Sequence, residues 1–243
     1  MKNAVLDEVY QRMRGTGPEF QGWLSNHGPM AADALIRMHR PESVDRWVDG
    51  FIPRLDDAPR PRWRIDESEW PELLGDPSRL GDWCAFFSDR VREEPWTDLL
   101  ARWWPRMLPG SIAAATHCLI RTGHAVRAVA EDANPQRLGE LAQGLGYWAA
   151  RWQDPPQTVT PSGSASPGDA LRGLPVISND IGMRSRVADM SRSQEWGRAV
   201  ERLSPIDDPS LVPEALDNLV DAAVALYPAW ASAGPVMLVH VAT

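Results

Sequence analysis

Cysteine is scarce in this chain. Cys84 and Cys118 are the only two, and no CxxC spacing occurs, which excludes a disulfide framework and a thiolate zinc site and makes a reducing cytoplasm the expected compartment. Lysine is almost missing: of 25 basic residues only Lys2 is a lysine. The arginines are scattered, and 33 acidic residues bring the net charge to −8. No positive face of the kind that phosphate binding needs is present, so nucleic acid is not an expected partner. No run of about 18 apolar residues occurs, so no membrane span is expected. The N-terminus, Met1-Lys-Asn-Ala-Val-Leu-Asp-Glu8, places acids where a signal peptide needs an apolar core. Period-2 alternation and internal repeats are missing too.

What is present is the pattern of helices. Apolar residues make up 43% of 243 residues and charged residues 24%, enough for a substantial core. Helical periodicity, punctuated by Pro and Gly, predicts helices over 4–13, 30–38, 42–51, 67–74, 80–91, 96–107, 111–131, 136–152, 184–203 and 213–230. Residues 58–64, with two prolines in four residues, read as extended. Residues 153–169 are rich in Pro, Ser and Gly and read as a surface loop. The stretch from Pro235 reads as first turns of a helix or as a short strand. The expected fold is all-α: a single multi-helix domain over 1–243 with a central apolar cavity.

The chemistry-bearing residues are histidines. Five occur, and two of them stand seven apart in Ser111-Ile-Ala-Ala-Ala-Thr-His117-Cys-Leu-Ile-Arg-Thr-Gly-His124. On one helix they share a face, about 10.5 Å apart along the axis. That separation excludes a direct hydrogen bond between the rings, and both reach one ion only if their side chains lean together or the helix kinks near Gly123. His27 stands at the mouth of a helix and His240 in an apolar terminus, whereas His39 looks solvent-facing. Imidazoles converging inside a helical bundle suit iron, zinc, copper or nickel; the alternative is core histidines bonded to carbonyls or hydroxyls. Three other features carry paired readings. The glycine-rich segment Gly15–His27 lacks the GxGxxG spacing and a preceding strand; it either lines a pocket, with Glu19 as a polar contact, or simply connects. Arg121, four residues after His117, either receives an anionic ligand or forms a structural salt bridge. The twelve tryptophans either wall a cavity for a flat substrate or fill the core.

Several segments together resemble the questin oxidase-like family: Leu24-Ser-Asn-His27-Gly-Pro-Met-Ala-Ala, Ala101-Arg-Trp-Trp-Pro-Arg-Met-Leu-Pro-Gly110, His117 with Arg121-Thr-Gly-His124-Ala-Val-Arg-Ala, Leu145-Gly-Tyr147-Trp-Ala-Ala-Arg-Trp152, and the terminal Val239-His240-Val-Ala-Thr243. The resemblance covers nearly the whole chain. It implies an all-helical oxygenase that opens a ring of a polycyclic aromatic polyketide such as an anthraquinone, by Baeyer–Villiger-type oxygen insertion or by dioxygen-dependent carbon–carbon cleavage. It implies a non-haem Fe(II) held by His27, His117, His124 and His240, with NADPH as a cofactor in some members; Tyr147 of the shared motif joins Glu19 and Arg121 as candidates for the substrate pocket. Two departures stand out. The family's carbamylated lysine has no counterpart, because Lys2 is the only lysine, so water, Glu19 or another carboxylate would substitute. The chain also ends three residues after His240, where relatives are expected to continue, so it reads as a shortened member. A non-catalytic ligand-binding or accessory protein and a metal-independent NADPH monooxygenase are the alternative readings.

Overall fold

The computed structural model describes residues 2–154, 159–175 and 183–230. Among them are twelve α-helices and one two-stranded hairpin, so the protein is all-α. The chain divides into two compact units, Met1–Asp154 and Pro155–Thr243, with the division inside the segment 153–169. Among the described residues no helix is long and apolar enough to cross a membrane.

The first unit contains α1 (Lys2–Met13), the hairpin β1 (Glu19–Phe20) and β2 (Leu24–Ser25), α2 (Gly28–Arg37), α3 (Val44–Phe51), the short α4 (Trp70–Leu73), α5 (Leu80–Glu93), α6 (Trp96–Met107), α7 (His117–Glu131) and α8 (Pro135–Arg151). Helix α8 is its centre. Asn134 caps it, accepting from the backbone N–H groups of Gln136 and Arg137 at 3.1 Å each, and Pro135 supplies a preset first turn. Two of its glycines let neighbours approach: a Cβ on Gly144 would lie 3.1 Å from Thr122 Oγ1 on α7, and one on Gly146 would lie 2.8 Å from the Cys84 backbone on α5. Gly144 thus serves the contact with α7 and Gly146 that with α5, whereas a Cβ on Gly139 would meet nothing within 4 Å.

The tryptophans of this unit are mainly core. Trp83, Trp103 and Trp148 are fully buried with Phe87, Leu99, Met107 and Leu145. Trp103 stands edge-on to Trp83, Phe86 and Phe87, with centroids 5.7, 5.5 and 4.9 Å away, the arrangement that ring quadrupoles favour. Trp148 donates its indole N–H to Gly110 O at 2.9 Å. A second cluster joins Val9, Phe20, Ala32, Val44, Val48 and Ala128, seating α1 to α3 and the hairpin.

The second unit holds α9 (Pro167–Arg172), α10 (Met183–Arg192), α11 (Gln194–Glu201) and α12 (Val212–Trp230). Residues 167–169, expected as the end of a loop, instead open a helix that runs to Arg172, because Ser166 caps it through Asp169 N–H at 3.1 Å. Residues 184–203, expected as one helix, are two, since Ser193 leaves the helical conformation and its hydroxyl accepts from Trp196 N–H at 3.2 Å. Helix α9 docks on α12 through Gly168, whose N–H donates to Asn218 Oδ1 at 2.9 Å.

Candidate functional site

The site is built where α2 and α7 run side by side. His27 meets His117, Asp33 meets His124, and Arg37 meets Glu131. Both series ascend together, so the two helices are parallel, with His27 and His117 side by side at their N-termini. From His27 to Asp33 the axis rises about 9 Å, and from His117 to His124 about 10.5 Å, so the rungs stay in step.

Asn26 sets the first rung. It is buried, accepts from Gly28 N–H at 2.9 Å, and donates to Gly17 O at 2.9 Å and Thr16 Oγ1 at 3.3 Å. This ties the loop from Gly15 to the start of α2, and the His27 ring is not spent on capping. The hairpin beside it turns at Gln21–Trp23, where Gly22 takes φ 84° at no steric cost.

His117 is placed by an unusual turn. The helix of the two histidines was expected from Ser111, but α7 begins six residues later, at His117. Ala114, Ala115 and Thr116 hold φ of 48°, 55° and 70°, a left-handed run that a right-handed helix cannot continue and that costs about 1–2 kcal/mol per residue. The turn brings Ala114 O to 2.6 Å from His117 Nδ1. A carbonyl only accepts, so Nδ1 carries the proton and Nε2 presents its lone pair. That Nε2 lies 3.0 Å from His27 Nε2, with the rings nearly perpendicular at 85°.

His124 is held from the other side. Its Nδ1 lies 2.7 Å from Asp33 Oδ2, which also accepts from Arg127 at 2.6 Å, while Arg37 donates to both carboxylate oxygens at 2.9 and 3.1 Å. Arg127 also lies 2.8 Å from His124 Nδ1. An arginine never accepts, and the anionic carboxylate needs a donor, so the Nδ1 proton points to Asp33 and the arginine contact is packing around the shared oxygen. Burial alone would raise the Asp33 carboxyl; the hydrogen bonds from His124, Arg127 and Arg37 overturn that and hold it well below the usual carboxylate range.

The structure therefore brings together His27 and His117, and pairs His124 with an acid instead. Among the described residues no group of three or more His, Cys, Asp and Glu gathers to hold a metal. His240 lies outside the described residues. Two imidazoles on adjacent positions of one ion at about 2.0–2.1 Å stand about 3.0–3.4 Å apart, so the His27–His117 pair fits two ligand positions. The Nδ1–H of His117 rests on a carbonyl and that of His124 on a carboxylate, and each contact fixes the tautomer and orientation of its ring.

Glu19, Arg121 and Tyr147 each have a partner within the protein. Glu19 accepts from Arg151 at 2.5 Å, and Tyr147 shares a buried hydrogen bond with Ser25 at 2.7 Å, which docks the hairpin onto α8. Burial pushes the Tyr147 phenol well above its ordinary value. Arg121, fully within the core, forms a two-pronged bridge to Glu140 at 2.6 and 2.9 Å and donates to Gln143 at 2.9 Å; of its two readings, the salt bridge is the one formed. Burial pushes the Cys84 thiol up to about 12 and raises that of Cys118, so both are thiols at neutral pH.

The chain matches no family model, no curated protein and no solved structure. Sequence reasoning missed Asn26, Asp33 and Ala114. For Asp33 a signal existed: it is the one charge in Gly28-Pro-Met-Ala-Ala-Asp33-Ala-Leu-Ile36, an otherwise apolar stretch.

Proposed function

We propose that the protein is a non-haem iron oxygenase acting on a polycyclic aromatic polyketide, with His27 and His117 at the heart of its metal site. The observation that carries this reading is the meeting of the two Nε2 atoms at 3.0 Å while Ala114 O fixes the His117 tautomer. The family likeness of the sequence motifs supplies the reaction class. In this reading His240 is a further ligand, while His124, paired with Asp33 one rung along the helices, stands outside the ligand pair and ties α7 to α2. When bound, Fe(II) supplies the activation of dioxygen for ring oxidation. The chain's own residues do the rest. Ala114 and Asp33 orient the imidazoles, Asn26 fixes the loop that carries His27, and the Ser25–Tyr147 bond holds the hairpin beside them.

Anaerobic titration with Fe(II), followed by metal analysis, tests this. One iron per chain is expected, with His27→Ala and His117→Ala each weakening it by about tenfold or more and His39→Ala leaving it unchanged. Oxygen uptake with a hydroxyanthraquinone should follow the same order. Absence of stoichiometric metal, together with unaltered anthraquinone binding in His117→Ala, would overturn the reading.

A further inference from the structure

A cleft of about 640 Å³ opens between α1, α5 and α8 beside Pro59 and Pro61. No histidine lines it, and neither Glu19 nor Tyr147 reaches it, so it is distinct from the paired imidazoles. Its volume is within the range of about 300–1,000 Å³ typical of small-molecule sites. Met13, Val91 and Leu138 give it apolar walls.

Its charge runs against that of the protein. The chain carries −8, yet the cleft presents Arg14 and Arg92 against one carboxylate, Glu140, and both oxygens of that carboxylate are taken by Arg121. Arg92 bonds Asp89 at 3.2 Å. Arg14 is exposed and makes no ion pair among the described residues. Tyr10, on the same wall, is 5% exposed, and its buried hydroxyl has no hydrogen-bond partner among the described residues. Burial, with Glu140 and Asp33 nearby, raises the phenol well above its ordinary value, so it remains a neutral donor.

Gly139 adds an independent observation. It stands in α8, where glycine weakens a helix, and unlike Gly144 and Gly146 it is not required by any neighbour. Gly139 lines the cleft, and a Cβ there would meet only open space.

We propose that this cleft binds a small apolar carboxylate, its body against Met13, Val91 and Leu138 and its charge received by Arg14. An apolar floor with a cationic rim recognises that chemistry, since burial of the body supplies affinity and the unpaired guanidinium selects the anion. The site is independent of the metal reading, and metal-free protein serves to test it.

Isothermal titration with naphthalene-2-carboxylate, and with the neutral naphthalene-2-methanol, reads both parts. The carboxylate should saturate at one per chain and bind about tenfold more tightly than the alcohol. Arg14→Gln should bring the carboxylate down to the alcohol's affinity. Gly139→Leu, a better helix former whose Cβ meets no protein atom within 4 Å, should weaken both ligands by about tenfold or more while leaving the melting temperature no lower. No saturation at millimolar ligand, equal affinity for carboxylate and alcohol, or unchanged binding in Gly139→Leu would each overturn the proposal.

Discussion

Asp33→Asn removes the charge on which three cationic or polar side chains of α2 and α7 converge, while keeping the shape of the side chain. Its cost follows from how much water each partner recovers. Arg127 and Arg37 are 47% and 36% exposed at their side chains, so their loss is that of surface pairs, about 0.5 kcal/mol each. His124 is 16% exposed, and its Nδ1–H loses a charge-assisted bond worth about 1.5–3 kcal/mol. The sum is about 2.5–4 kcal/mol, which corresponds to a fall in Tm of roughly 5–15 °C for a domain of this size. The pH dependence has a definite sign. The Asp33 carboxyl is held below its unfolded value near 3.9, so its stabilisation is complete above about pH 5 and is lost progressively as pH falls toward the folded value. Urea unfolding followed by circular dichroism, from pH 7 to pH 3, should show a constant gap between wild type and Asp33→Asn down to about pH 5 that narrows below it. A gap under about 0.5 kcal/mol at pH 7, or one that widens toward acid, would refute the reasoning.

Arg121→Met strands the Glu140 carboxylate in the core and should cost about 3–5 kcal/mol in urea unfolding, whereas Arg121→Met with Glu140→Leu should recover most of it. Equal losses in the two variants would show that the bridge is not what holds that face of α7 to α8. Ala115→Gly relaxes the left-handed turn before His117 and should raise stability by up to about 1 kcal/mol, read as a rise in Tm; a fall would mean that the turn carries no strain.

The parts of this fold that are legible in sequence are those bounded by local chemistry. Helix α6 runs from Trp96 to Met107 as expected, because Pro95 starts it and Leu108-Pro109-Gly110 ends it. Nothing local marks the start of α7. Residues 111–116 are small and helix-compatible, and the turn they adopt is tied to the rest of the protein through Gly110, whose carbonyl takes the Trp148 N–H and whose Cα faces the Trp152 ring. The site divides in the same way. His27 and His117 stand out by their settings, but seven-residue spacing suggested His124 as the partner of His117, and His27 is the one it meets. Asp33 acquires its role only when α2 lies parallel to α7, a relation between segments about ninety residues apart that no periodicity encodes.

That parallel seating bears on when the protein becomes competent during folding. Helices α7 and α8 are joined by the three residues 132–134, so their pairing closes a short loop and is fast. His27 and His117 are separated by 90 positions, and closing that loop costs about 4 kcal/mol of chain entropy. On this ground the two imidazoles are predicted to meet after α7 and α8 have paired, which pulsed hydrogen exchange during refolding would check. A ligand that bridges them binds the finished fold and not its precursors, so its affinity adds directly to the stability of the native state. The histidine pair thus reports on the completion of folding, and occupancy of the pair would act as a clasp on the largest loop it closes.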